Sequence, residues 1–131
     1  MILDTSFLMD LKDGEQDAFD TAIDLYDSDV VQRVAMPSVW ELHYGAAYTE
    51  SSTERRQVRN LLLMYPVVEL TEETARHGAG LLAAADRADG GDSGVDNEDG
   101  LIGAVADRFG EPVLTDNVDD FEKLGVDVET Y

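Results

Sequence analysis

Asp4 closes the short apolar run Met1-Ile2-Leu3 and is followed by Thr5 and Ser6. Three further acidic stations recur along the chain. Glu41 stands in Pro37-Ser38-Val39-Trp40-Glu41-Leu42, Asp99 in Glu98-Asp99-Gly100-Leu101-Ile102-Gly103-Ala104, and a last group in Thr115-Asp116-Asn117-Val118-Asp119-Asp120-Phe121. Carboxylates brought close together repel one another, and each raises the pKa of its neighbours. A hard divalent cation relieves that repulsion, and all-oxygen ligands suit Mg2+ or Mn2+. Such an ion can turn water into a nucleophile and stabilise the leaving oxygen of an in-line phosphoryl displacement.

Each acid also fits a purely local role. Asp4 can cap the helix after it, and Ser38 with Glu41 matches the capping-box spacing, in which the glutamate reaches back to the cap's N–H. Asp99 in a first helical turn gains from the helix dipole, and Asp116 or Asn117 can cap a short helix that carries Phe121. Gly45, one turn beyond Glu41, leaves room for close approach. Asp99 falls beside small residues, Gly103 and Ala106, at the flank of a stripe formed by Leu101, Val105 and Phe109. Asp96, Glu98 and Asp107 are expected in solvent.

Whether these acids meet depends on the elements that carry them. Strand-length apolar runs at 1–4, 31–36, 67–70, 112–114 and 126–128 alternate with helical patterns. The helices are expected at 6–27 (two helices broken near Gly14), 38–49, 53–65, 71–87 and 96–109. Thr71 before Glu72 and Glu73 is a good helix start. Residues 89–97 are expected to form a flexible loop. The alternation predicts an α/β fold with helices around a mostly parallel sheet. Parallel strands place all four stations at one sheet edge, outside the carboxyl ends of the strands, where open α/β sheets bind ligands.

The chain has 131 residues, enough for one domain over 1–131. There is no cysteine, which excludes disulfides and thiolate metal sites. Asp4 interrupts the first apolar run, so no signal peptide is expected; the apolar runs are too short for a bilayer, and a cytoplasmic protein is the expectation. Net charge is −20, with seven arginines but only Lys12 and Lys123 as lysines. Hydrophobic residues at 44% argue against disorder. Adaptation to high salt, where the Debye length falls to roughly 3 Å near 1 M, accounts for the charge without an obligate cationic partner.

Taken together, Ile2-Leu3-Asp4-Thr5-Ser6, Pro37-Ser38-Val39-Trp40-Glu41-Leu42 with Gly45, Asp99 with Leu101 to Ala106, and Val113-Leu114-Thr115 with Asn117 and Asp120-Phe121 resemble the PIN-domain family, most closely the VapC-type toxins. The resemblance spans essentially the whole chain. It implies a three-layer α/β/α PIN-like domain with a central mostly parallel sheet, and a Mg2+- or Mn2+-dependent ribonuclease. It also implies a homodimer and a VapB-type antitoxin in the active-site groove. By motif, Asp4, Glu41 and Asp99 match the metal-binding acids. The fourth position, two residues after the threonine, is Asp or Asn in the family and here is Asn117, with Asp116 beside it; this departure implies either a weakened second metal site or substitution by Asp116. Thr5, Ser6 and Thr115 would orient the carboxylates.

Arg55, Arg56 and Arg59 form the one basic cluster and could contact RNA phosphates or be a solvated helix face. Trp40, Tyr44 and Tyr48 are expected as core or dimer contacts, and His43 and His77 carry no assigned role. Two rival readings remain. An aspartate-dependent phosphatase also places an acid after its first strand, but Ser6 stands where it needs a second aspartate. A catalytically inert PIN-like interaction module would not need the full acidic set.

Overall fold

A computed structural model describes all residues, 1–131. Five short strands form one sheet in the order β3-β2-β1-β4-β5: β1 (Ile2–Leu3), β2 (Arg33–Ala35), β3 (Val67–Val68), β4 (Val113–Leu114) and β5 (Val128–Glu129). Every pairing is parallel, with Leu3 opposite both Val34 and Leu114. Seven helices connect them: α1 (Thr5–Asp13), α2 (Gln16–Asp27), α3 (Met36–Tyr48), α4 (Ser52–Leu62), α5 (Glu72–Ala88), α6 (Asn97–Phe109) and α7 (Val118–Lys123).

Strand side chains alternate between faces, and that alternation divides the core in two. Leu3, Val34 and Leu114 meet Phe7, Leu8, Ala18, Leu42, Val58 and Leu61 of α1 to α4. Ile2, Ala35 and Val113 meet Ala85, Ile102, Val105 and Phe121 of α5 to α7. The result is three layers, α/β/α, as the resemblance implied. The break near Gly14 is real: Gly14 adopts φ 83 as the left-handed cap of α1, a conformation glycine takes without a steric cost. Thr71 caps α5 through the amide of Thr74.

Several boundaries differ from the sequence pattern. The strand expected over 31–36 begins only at Arg33, and α3 already starts at Met36. Ala35 is its cap, and no side chain satisfies that end. Ser38 is instead buried within the first turn, its hydroxyl without a partner, so the Ser38–Glu41 capping box does not form. Burial of Pro37 and Ser38 against the core overrides the local capping preference. The last strand falls at Val128–Glu129 rather than 126–128.

The loop over 89–97 is tied down. Asp86 accepts hydrogen bonds from the Ser93 amide (2.9 Å) and hydroxyl (2.6 Å), and Lys123 donates to the Ser93 carbonyl at 2.8 Å. Phe109, expected in the core, instead lies 38% exposed beneath the Arg33 guanidinium at 4.5 Å. Ile102 and Ala106 take the inward positions.

Candidate metal centre

Asp4 leaves the carboxyl end of β1 and also caps α1. Its Oδ1 accepts from the Thr5 amide (2.7 Å), and its Oδ2 accepts from the hydroxyls of Ser6 (2.9 Å) and Thr115 (2.7 Å). Capping and site-building are therefore one arrangement. Thr115, fully buried just beyond β4, also accepts from the Asn117 amide at 2.9 Å. Thr5 donates its hydroxyl to Glu41, which joins α1 to α3 across the site. Glu41 is thus held by a threonine from a separate helix, not by its own helix start.

Asp99 enters from α6. Gly78 of α5 lets the two helices approach so closely that a Cβ there would lie 2.7 Å from the Gly100 carbonyl oxygen. That contact fixes the turn that carries Asp99. On the opposite side, a Cβ-sized space stands open at Gly45, beside a pocket of about 240 Å3 lined by Met9, Lys12, Glu41, Gly45 and Glu54. Lys12, unassigned in the sequence reading, is the cation bordering this pocket and pairs with Glu54 at 2.8 Å. Its charge is thereby matched before any ligand arrives.

All three acids are raised above their ordinary values, and Asp99 is raised by both of the others. Burial pushes the Asp99 carboxyl up to about 7, and the charges of Asp4, Glu41, Asp120 and Asp96 push in the same direction. Burial also raises Glu41 against the lowering bond from Thr5, with Asp4, Glu98 and Asp96 adding to the rise. Asp4 is raised by burial despite its hydrogen bonds, and the charge of Asp116 contributes. Asp96 and Glu98, expected to be merely solvated, therefore belong to the field of the site.

The fourth station resolves differently from its sequence reading. Asn117 does not turn its amide toward Asp4; its Nδ2 donates to Asp120 Oδ2 at 2.8 Å. Asp116 is exposed, and Asp120 is the acid of this station that Asp99 senses. Asp120 went unassigned in the sequence, although its position three residues after Asn117 on the first turn of α7 was a usable signal. No three acidic side chains are drawn in to the spacing of a closed coordination shell. The donor chemistry nonetheless fits a hard divalent cation: oxygen ligands only, with raised carboxyl pKa values that a nearby positive charge would bring down.

This repulsion has a measurable sign. A carboxyl raised from 3.8 to about 7 keeps its proton in the folded chain at pH values where the unfolded chain has lost it. The stability it contributes is present at low pH and is lost as pH rises through 7. Without metal, raising the pH from 5.5 to 7.5 is expected to lower stability by about 1–2 kcal/mol, after a discount for the solvent around Asp99. Urea midpoints across that range measure it, and a flat profile would contradict the repulsion. Glu111 and Asp86, whose pKa values are lowered, act only in more acidic solution.

The other sequence candidates lie outside this cluster. Arg55, Arg56 and Arg59 line an open pocket of about 480 Å3 with His43 and Ser52. None of the three arginines makes an ion pair, whereas Lys12, Arg33, Arg76 and Lys123 do. Trp40, Tyr44 and Tyr48 are not core: they are 58%, 58% and 80% exposed and stack in a row along α3. His77 pairs with Asp107 at 2.8 Å, away from the acids.

Asp4 at the end of β1 thus faces acids from α3 and α6 over a parallel sheet. The PIN domain family model matches residues 1–126. The chain belongs to the PIN domain family. No curated protein matches it in sequence. Solved structures share the PIN fold at low identity. VapBC2 from Rickettsia felis bound to a promoter DNA fragment is 16% identical, with a TM-score of 0.80 over 99% of this chain and 97% of that one. DNA-bound VapBC from Salmonella typhimurium is 22% identical, TM-score 0.80, covering 98% and 96%. A toxin–antitoxin complex from Klebsiella pneumoniae is 21% identical, TM-score 0.69, covering 92% and 88%. No helix of this PIN domain is long and apolar enough to cross a membrane.

Proposed function

We propose that this PIN domain is a metal-dependent endoribonuclease and the toxin of a VapC-type toxin–antitoxin pair. The observation that carries the reading is that burial raises Asp4, Glu41 and Asp99 alike, with Asp99 pushed to about 7 by burial and by the charges of Asp4 and Glu41. Carboxyls held above their ordinary pKa by burial and by one another's charge suit a cation. Asp4, Glu41 and Asp99 would hold Mg2+ or Mn2+, with Asp116 or Asp120 completing the set through the fourth station. When bound, the ion supplies an activated water and charge stabilisation at an RNA phosphodiester.

The chain's own residues do the positioning. Thr115 and Ser6 keep Oδ2 of Asp4 fixed, and Thr5 does the same for Glu41. The carboxylate-free arginine pocket supplies contacts for RNA phosphates, since guanidinium groups grip phosphate in a bidentate way. Elsewhere, a groove of about 800 Å3 is lined by Leu11, Phe19, Ile23, Tyr26, Met64 and Tyr65. An exposed apolar groove of this kind suits an amphipathic helix of a VapB-type antitoxin. The stacked row of Trp40, Tyr44 and Tyr48 suits the self-contact of a homodimer.

The test is cleavage of a single-stranded RNA by purified protein. Turnover is expected with Mn2+ or Mg2+ and none in EDTA. Arg55→Ala with Arg59→Ala is expected to raise KM about tenfold while kcat holds, two phosphate contacts being lost. Absence of both cleavage and Mn2+ binding would favour the inert interaction module.

A further inference from the structure

Tyr131 lies beyond the stretch 1–126 matched by the family model, yet it is bound to the helix that carries two of the site's hydroxyls. Its hydroxyl donates to Asp10 Oδ2 at 2.7 Å. Its ring meets that of Phe7 edge-on, with centroids 4.9 Å apart and planes at 76°. Phe7 is fully buried, so this contact ties the tail to the core and not to a mobile surface.

The route of the chain explains how Tyr131 gets there. β5 pairs with β4 so that Leu114 stands opposite Glu129, and the Thr115 amide donates to the Glu129 carbonyl at 3.0 Å. Two residues later the chain is at the same sheet edge as Thr115 and Asp116. From there it crosses to α1 and touches that helix at Phe7 and Asp10, three positions apart on one helix face. Thr5 and Ser6 lie in the turn just before. The Tyr131 hydroxyl also senses Ser6 and the charge of Asp116, which puts it at the margin of the acidic site.

We propose that Tyr131 is a positioning residue of the carboxylate centre. It clamps the first two turns of α1, so that Ser6 stays on Asp4 and Thr5 stays on Glu41. A ring packed on Phe7 restrains translation of the helix. The Asp10 bond restrains its rotation, and rotation is what would swing both hydroxyls off their carboxylates. The proposal rests on the metal-site reading of the preceding subsection.

The experiment compares wild-type protein with Tyr131→Phe, which keeps the ring and removes only the hydroxyl, and with Tyr131→Ala. Amide exchange of Thr5, whose N–H is bonded to Asp4, is expected to quicken about tenfold in Tyr131→Phe, while amides of α5 are unchanged. Mn2+ affinity by calorimetry and kcat for RNA cleavage are expected to fall about tenfold with KM constant, the range found for groups that orient metal ligands. Tyr131→Ala should exceed both effects; if it fails to fold, Tyr131→Phe alone decides. Unchanged Thr5 exchange, or faster exchange with unaltered Mn2+ affinity and kcat, would overturn the proposal. Wild-type protein that binds no Mn2+ would overturn the metal-site reading itself, and the exchange result would then still decide whether Tyr131 clamps α1.

Discussion

Asp99→Asn is expected to reduce RNA cleavage by at least about a hundredfold while making the metal-free protein more stable at pH 7.5, by about 1 kcal/mol. The two effects share one cause. The Asp99 carboxyl is raised to about 7 by burial and by the charges of Asp4, Glu41, Asp120 and Asp96, and no hydrogen bond pulls it back. An amide of the same shape removes the repulsion and orphans nothing. It also removes a negative oxygen donor that a hard cation needs. Cleavage rates and urea melts of the same preparation test both halves. A variant that is inactive and also destabilised would show that Asp99 supports the fold and is not strained by it.

Asp4 is expected to respond differently, although it sits in the same cluster. Its two oxygens accept three hydrogen bonds. An asparagine there keeps one acceptor and offers an N–H toward hydroxyls that already donate. The relief of repulsion that the sequence alone suggests for Asp4→Asn is therefore offset, and Asp99 is the cleaner site for separating charge from architecture.

Thr115→Val is the larger structural perturbation. Valine matches threonine in shape, so packing is kept while the hydroxyl is lost. Thr115 is fully buried; it donates to Asp4 and accepts from the Asn117 amide. The substitution leaves a carboxylate oxygen with one donor fewer and a backbone N–H with none. At about 1–3 kcal/mol for each orphaned group, a loss near 3 kcal/mol is expected in thermal or urea unfolding. Because the Thr115 bond lowers the Asp4 pKa, its removal should also move the acidic limb of the pH–rate profile upward. A stability loss without that shift would mean that Thr115 acts on the fold alone.

The contrast between these two residues separates what was readable from what was not. Asp4 and Asp99 were legible because one ends a strand and the other opens a helix, and Glu41 because it stands early in the helix that follows β2; parallel alternation sends such positions to one edge. The α/β/α layers follow from the same periodicities, since Ile2 and Leu3 must face opposite ways. The fourth station was not readable in this way. Asp116, Asn117, Asp119 and Asp120 lie within five positions, and which one turns inward depends on the φ and ψ of the Asn117 cap, −89 and 58. Local sequence does not set those angles; docking of Phe121 into the core does.

The sequence by itself determined the order of strands and helices, the edge at which the acids emerge, and the absence of thiolate chemistry. These follow from residue type and from periods of 2 and 3.6, which are local properties. Only the tertiary structure decided that Glu41 is held by Thr5 and not by Ser38, that Asn117 serves Asp120, and that Tyr131 returns to α1. Each of these joins residues remote in sequence, by 36 positions for Thr5–Glu41 and 121 for Tyr131–Asp10. Such pairings depend on how closely helices pack over the sheet, a distance set at contacts such as Gly78 on Gly100.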